Sequence, residues 1–226
     1  MSEPQTDPIL TARGIGLARN GARLLQDISL DIRKGSITLV LGHNGAGKTL
    51  LLNALHGLID IDHGNIYAPP LSQQKMVFQK PIIMRRTTRQ HFQFLCRDLD
   101  PDDVADWIQR AGIADRIDAP ARALSGGEQQ KLALVGALAA RPDILFLDEP
   151  TAHLDFAATK FVEAMIGEAH EAGTTIVMTS HNRAQSERLG QDVLLLDGGR
   201  LVEAATADKF FSSPDHPLSR QYLDHL

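Results

Sequence analysis

Hydrophobic and polar positions alternate along the first part of the chain and then change period. In "LTARGIGLARNGARLLQDISLDIRKGSITLVLG", Leu10 to Gly42, the alternation is interrupted at Asn20-Gly21 and again at Lys34-Gly35. A period of two marks half-buried strands, and Asn-Gly suits the tight turn of a hairpin, so this part predicts antiparallel strands. Beyond it, short unbroken apolar runs are followed by helical segments: "SITLVLG" then "KTLLLNALHGL", "DILFLDE" then "FAATKFVEAMIGEAHEAG", "TTIVMTS" then "NRAQSERLG". Strands alternating with helices predict a parallel sheet with crossover helices. Between about 81 and 140 no strand pattern is visible, and "DPDDVADWIQRAG" reads as a helix. Asp100 suits the cap, Pro101 the first position, and Asp102 and Asp103 the positive end, with Val104, Trp107, Ile108 and Ala111 on one face. A small helical lobe is therefore expected to interrupt the sheet. There is no internal repeat, and the tail "SSPDHPLSRQYLDHL" is too short for a domain of its own.

Composition narrows the class. With 226 residues, 43% of them hydrophobic and 23% charged, the chain can bury one sizeable core, or a core with a smaller lobe. The single Cys96 excludes an internal disulfide and fits a reducing compartment, and "MSEPQTDP" has neither the basic nor the apolar region of a leader. A cytoplasmic location is expected. The apolar stretch "LALVGALAA" falls far short of the roughly 20 residues that cross a bilayer, so any membrane role requires a partner. A net charge of -5 without a long basic run gives no support to nucleic-acid binding.

The chemistry begins at "GHNGAGKT": Gly42, His43, Asn44, Gly45, Ala46, Gly47, Lys48 and Thr49. It fits G-x-x-x-x-G-K-T, follows an apolar strand and precedes a helix, the context a phosphate-binding loop needs. Its glycines let backbone N–H groups curl around phosphate oxygens, Lys48 brings a charge to the β- and γ-phosphates, and the Thr49 hydroxyl suits Mg²⁺. The alternative, a glycine-rich turn with a surface lysine, loses weight against that context. In "ILFLDEP" a buried strand delivers Asp148 and Glu149 at its end, and Pro150 stops regular pairing. Asp148 is the expected partner of Mg²⁺ through water, and Glu149 the candidate general base for a water in line with the γ-phosphate. "KMVFQK" leads to Gln79 and "IVMTSHN" to His181, so four apolar strands each release a polar residue at the carboxyl end. That edge is where ligands bind an open α/β sheet. His181 alone would read as a surface or capping histidine; beside the other three strand ends it reads as catalytic.

"ALSGGEQQKLALVGALAA" opens a second helix with Ser125, Gly126, Gly127 and Glu128, an S-x-x-E capping box that needs no ligand. Yet the order "GHNGAGKT", Gln79, "LSGGEQQ", "ILFLDEP", "AHLD", His181 resembles, motif by motif and over nearly the whole chain, the ATP-binding-cassette ATPases. The resemblance implies an α/β fold: a P-loop NTPase core, its mixed sheet joined to an antiparallel β subdomain, plus a small helical subdomain. The expected division of the single domain 1–226 puts the RecA-like core at about 1–80 and 141–226 and the helical part at about 81–140. It also implies ATP and Mg²⁺ as cofactors, with Thr49, Gln79 and Asp148 on the metal side and Glu149, His181 and Gln79 as catalytic residues. Ser125, Gly126, Gly127 and Glu128 become the signature facing the γ-phosphate held by the opposite protomer of a homodimer, and Asp155 belongs to the D-loop. Two helix N-termini per chain then serve two half-sites.

Two positions depart from the family pattern. Arg19 stands in the hairpin where an aromatic residue usually stacks on adenine; a guanidinium plane can stack on a base, and an exposed turn arginine is the equal alternative. Leu50 follows Thr49 where a hydroxyl is frequent, one phosphate contact fewer, about 0.5–1.5 kcal/mol. Within the family, "FQKPIIMRRTTRQHF" and "GAGKTLLLNALHGLI" look like the ATPases of tungstate-type oxyanion importers, with molybdate and phosphate importers near. The implied partners are two transmembrane permease subunits and, indirectly, an extracytoplasmic substrate-binding protein, with the chain peripheral on the inner face of the membrane. The alternative is a soluble cassette such as an iron–sulfur assembly ATPase. In "PIIM" the apolar residues suit either the permease contact, with Ile83 as its probe, or the core of the helical lobe.

Overall fold

The computed structural model describes residues 7–225, so most of the segment in which no leader was expected, residues 1–6, lies outside the described residues. Strands β1 (Pro8–Arg19) and β2 (Ala22–Arg33) form the expected hairpin. Asn20 and Gly21 have φ of 52° and 79°, the pair of positive values that a type I′ turn demands. Strand β3 (Ile37–Leu41) and helix α1 (Lys48–His56) follow, and β4 (His63–Tyr67) then returns to pair with β1. A three-stranded antiparallel sheet of order β2-β1-β4 results.

The second sheet is assembled from strands far apart in sequence. After β5 (Gln74–Val77) the chain passes through α2 (Thr88–Leu95), α3 (Pro101–Arg110) and α4 (Gly126–Ala139) before it returns as β6 (Ile144–Leu147). Helix α5 (Phe156–Glu171), β7 (Thr175–Thr179), α6 (Arg183–Leu189), the hairpin β8 (Asp192–Asp197) and β9 (Arg200–Thr206), then α7 (Ala207–Ser212) and α8 (Pro217–Leu223) complete it. The order is β5-β6-β7-β3-β8-β9, parallel except for β9. Every residue of β3, β6 and β7 is buried, as parallel strands covered on both faces require, which is why their sequences run apolar without alternation. On one face, Leu51, Leu52 and Leu55 of α1 are clamped between the two sheets together with Ile15, Val40 and Phe146. On the other, α4, α5 and α7 pack on Leu39, Leu145 and Met178.

Helix α4 serves two cores. Leu134, Ala137 and Leu138 face the sheet, whereas Leu132, Val135 and Ala139 join Phe92 of α2 and Val104 and Ile108 of α3 in a separate cluster. A helix buried on opposite sides is apolar around its circumference, and "LALVGALAA" is such a stretch. Asp100 precedes α3 and Pro101 opens it as expected, although the Asp100 side chain makes no cap bond. The choice left open for "PIIM" divides between its two isoleucines: Ile83 is 8% exposed within the helical cluster, while Ile82 is 75% exposed. Ile83 is thus unsuited as a surface probe. Among the described residues no helix is long and apolar enough to cross a membrane.

Candidate functional site

The loop between β3 and α1 is shaped by close backbone approach. A Cβ on Gly42, whose φ is +146°, would sit 2.3 Å from the Leu196 carbonyl oxygen of β8, so no larger residue fits there. Gly47 caps α1 with φ 104° and makes no side-chain cap bond, which leaves the first N–H groups of α1 directed at the loop. His43, Asn44 and Gly45 are exposed, while Ala46 is buried and braced, its carbonyl accepting from Gly199 N at 3.0 Å. Lys48 folds back into this cradle, donating from Nζ to the carbonyls of Gly42 (2.8 Å) and His43 (3.1 Å). Burial pushes its pKa below the usual lysine range, and the nearby charges of Glu149 and Asp148 pull the other way. Leu50, in the first turn of α1, packs against the core.

Four adjacent strands end beside this cradle. Thr49 Oγ1 donates to Asp148 Oδ2 at 2.8 Å, so the hydroxyl and carboxylate expected on the metal side already touch. Asp148, 5% exposed, also accepts at Oδ1 from Thr179 Oγ1 at 2.9 Å. Glu149 adopts φ +45°, a left-handed conformation costing a non-glycine residue roughly 1–2 kcal/mol. Its side chain is held from two sides, by Gln79 Nε2 at Oε2 (2.9 Å) and by His181 Nε2 at Oε1 (2.5 Å). The structure therefore brings Gln79, Glu149 and His181 into one contacting set, Gln79 through a hydrogen bond and His181 through a close ring contact, with Lys48, Thr49 and Asp148 next to it.

The remaining expected residues lie elsewhere. Ser125 and Glu128 form the capping box in full: Ser125 Oγ accepts from Glu128 N at 3.3 Å, and Ser125 N donates to Glu128 Oε2 at 2.7 Å. The Ser125 backbone bond, with its hydroxyl second, holds the Glu128 carboxyl below the usual carboxylate range. Ser125 and Gly126 are exposed, and Gly127 backs onto Ala158 and Leu154 at the start of α5. Asp155 caps α5, accepting from Ala158 N at 2.7 Å. Among the described residues, no hydrogen bond joins residues 125–128 to residues 42–49, Asp148 or Glu149. Arg19 ends β1, bonded in the plane of its guanidinium to Ala18 O (2.8 Å), Asp62 Oδ1 (3.2 Å) and Asp60 O (3.2 Å). The Ala18 N–H bond, with Arg19 adding to it, holds Asp62 below the ordinary carboxylate range.

Sequence reasoning missed several residues that shape the site. Thr179 reads as the end of an apolar strand. Gly199 donates to the phosphate loop while its own carbonyl accepts from Gln26 N at 2.8 Å; "GG" between "VLLLD" and "RLVEA" was the available hairpin signal. Tyr222 of α8 lies edge-on to His43, ring centroids 5.1 Å apart, and burial raises its phenol above the usual range. Gln185 ties the segments after Glu149 and before His181 together, accepting from Ser180 Oγ (2.9 Å), donating to Thr151 Oγ1 (3.1 Å) and to Glu163 Oε1 (3.2 Å). Burial works against the Glu163 charge, yet bonds from Gln185 and Arg188 keep its pKa below the usual range. None of these carries a motif spacing.

The family described as ABC transporter matches residues 25–152. A probable anion import ATP-binding protein of Haloferax volcanii is 27% identical over 95% of this chain and 86% of its own length. The methionine import ATP-binding protein MetN of Bradyrhizobium diazoefficiens is 30% identical over 90% of this chain and 65% of its own length. A phosphate import ATP-binding protein, PstB 2 of Natronomonas pharaonis, is 28% identical over 95% and 86%. Among solved structures, cbiO1 from Clostridium perfringens, described as part of the ABC transporter complex cbiONQ, superposes with a TM-score of 0.78, 25% identity and 92% coverage of both chains. A dimeric ATP-binding cassette in a post-hydrolysis state bound to ADP and Pi has a TM-score of 0.80 over 88% of this chain and 98% of its own; at 20% identity it shows the shared fold.

Two substitutions test the cradle. Lys48→Ala is expected to weaken nucleotide binding and abolish ATP turnover in the purified protein, because the phosphates lose their fixed counter-charge; turnover at the wild-type rate would remove the loop from the site. Arg19→Ala should raise KM for ATP several-fold with a smaller change in kcat, the pattern of binding energy shared by ground and transition states. Identical kinetics would confine Arg19 to its surface pair with Asp62.

Proposed function

Given that this chain belongs to the ABC transporter family and is an ATPase, we propose that it is the ATP-hydrolysing subunit of an importer, working as a pair of identical subunits docked on two membrane permease subunits. One observation carries the reading: the chain holds a phosphate cradle in contact with its own carboxylates, while among the described residues the exposed Ser125–Gly126 helix start makes no hydrogen bond to it. A site completed by the helix start of a second copy accounts for both.

The donor set fits Mg²⁺. Thr49 and Asp148 are hard oxygen ligands in mutual contact, and Gln79 carries an amide oxygen beyond the end of the neighbouring strand β5. Among the described residues no group of three or more His, Cys, Asp or Glu could enclose a metal, which suits an ion that takes its other ligands from substrate phosphates and water. Mg²⁺ bound there supplies charge neutralisation at the β- and γ-phosphates. The chain does the rest: Lys48 and the first N–H groups of α1 hold the phosphates, and Glu149 accepts the proton of the attacking water. Gln79 and His181 orient the Glu149 carboxylate from opposite sides, and water takes one of those places when the γ-phosphate arrives.

An oxyanion is the cargo this reading favours, tungstate first, with molybdate or phosphate as alternatives. Likeness to an anion importer and a phosphate importer supports the oxyanion class and favours import over iron–sulfur assembly; the methionine importer among the relatives keeps the cargo a question for the permease and its binding protein. In this reading the cargo is selected outside this chain. The permease contact is assigned to the groove between β5 and α2, about 300 Å³ in volume, with Ile82, Phe94 and Leu95 at its mouth. Arg86 and Arg97 lie 5.6 and 4.9 Å from the centre of the Phe94 ring, giving the apolar opening a cationic rim.

Two experiments decide between these assignments and their alternatives. Ile82→Asp should leave the subunit folded and its basal ATP turnover intact while reducing recovery of co-expressed permease several-fold in a pull-down; full recovery moves the contact away from this groove. Glu149→Gln keeps the shape and removes the base, so ATP should convert it to a stable dimer in size-exclusion chromatography with light scattering. Adding Ser125→Arg should keep it monomeric. A dimer indifferent to Ser125→Arg returns residues 125–128 to a purely capping role.

A further inference from the structure

Thr179, the last residue of β7, is fully buried at a position where an apolar strand residue would pack equally well. Its hydroxyl makes two directed bonds: it accepts from the backbone N–H of Glu149 at 2.7 Å and donates to Asp148 Oδ1 at 2.9 Å. We infer that Thr179 is a positioning residue for ATP hydrolysis, a single hydroxyl that sets the metal-side carboxylate and the peptide of the general base in one fixed relation.

Three features of the site require such an anchor. Asp148 has a second hydroxyl partner, Thr49, but that hydroxyl is also a metal ligand in the reading above, so Thr179 is the protein partner that stays with Asp148 throughout. Glu149 is held at φ +45°, away from the conformations its side chain prefers, and the bond from its N–H to Thr179 Oγ1 spans from β6 to the neighbouring β7 and locks that turn. Beyond Thr179 the chain needs only Ser180 to reach His181, whose ring contacts Glu149 from the other side. One residue thereby couples the backbone of the base, the carboxylate beside it and the segment that carries the histidine. Valine fits the same volume without the hydroxyl and would leave the part-buried Glu149 N–H and a buried carboxylate oxygen of Asp148 each short of a partner. Serine keeps both bonds.

The inference rests on the roles given to Asp148 and Glu149, so Glu149→Gln is measured alongside. In the purified full chain, Thr179→Val should remain folded, keep KM for ATP within about twofold, and lose on the order of 100-fold in kcat, the scale of a catalytic group displaced by about 1 Å. In the nucleotide-free protein, NMR-detected hydrogen exchange at the Glu149 amide should accelerate by at least tenfold. Thr179→Ser should restore both, and Thr179→Ala, which asks less of the packing, should behave as Val does. Wild-type kcat together with wild-type exchange in folded Thr179→Val or Thr179→Ala overturns the inference, as does a serine variant as impaired as alanine. Wild-type turnover in Glu149→Gln would instead remove the base assignment, and the exchange measurement would still decide whether Thr179 holds that peptide.

Discussion

The constraint on which the structure depends is burial of β3, β6 and β7 on both faces. Strands enclosed between helices and a second sheet can carry almost no polar side chain along their length, because each would need a buried partner. Polar chemistry is therefore released where the strands end, and adjacent parallel strands end together. The order β5-β6-β7-β3 puts Gln79, Asp148 and Glu149, His181 and the phosphate cradle side by side, although the chain between Gly42 and His181 takes in the whole helical lobe.

The cradle needs support from behind as well. Gly42 and Gly199 both occupy places where a Cβ would strike a carbonyl oxygen at 2.3 Å, one against β8 and the other against β2. The loop that grips phosphate is thus wedged between the two sheets, and Lys48 is drawn into it by the carbonyls of Gly42 and His43. Preorganisation of this kind lets the charge meet its ligand without first reordering the backbone. The same rigidity leaves the Ser125 helix start independent, since α4 is fastened to the sheet on one side and to α2 and α3 on the other.

In the proposed reading, that separation makes the ATP-binding chain half of a machine. A cradle in contact with its carboxylates, a capped but exposed helix start, and an apolar groove with a cationic rim beside α2 are three separate features of the chain. In that reading, nucleotide, second copy and permease each engage one of them.

How much of this was legible in the chain depended on whether a property was local. Alternation, unbroken apolar runs, Asn20-Gly21, the glycines around Lys48 and the S-x-x-E box are encoded within a few residues each. The α/β class, the hairpin and the strand-end positions of Gln79, Asp148, Glu149 and His181 could therefore be read directly, and the order of motifs was enough to indicate the family. What required the tertiary structure was every choice between neighbours with the same local pattern. Ile82 and Ile83 are identical in sequence terms, yet one is exposed and the other fills the helical core, because only the packing of α2 and α3 defines which side is inside. Thr179 looks like any β-branched strand residue until β6 is laid beside β7 and its hydroxyl meets Asp148 and the Glu149 N–H. Arg19 acquires Asp62 as a partner only when β4 closes on β1. A sequence specifies which groups a chain can offer; distance between groups remote along it is set by the fold, and hydrogen bonds depend on that distance.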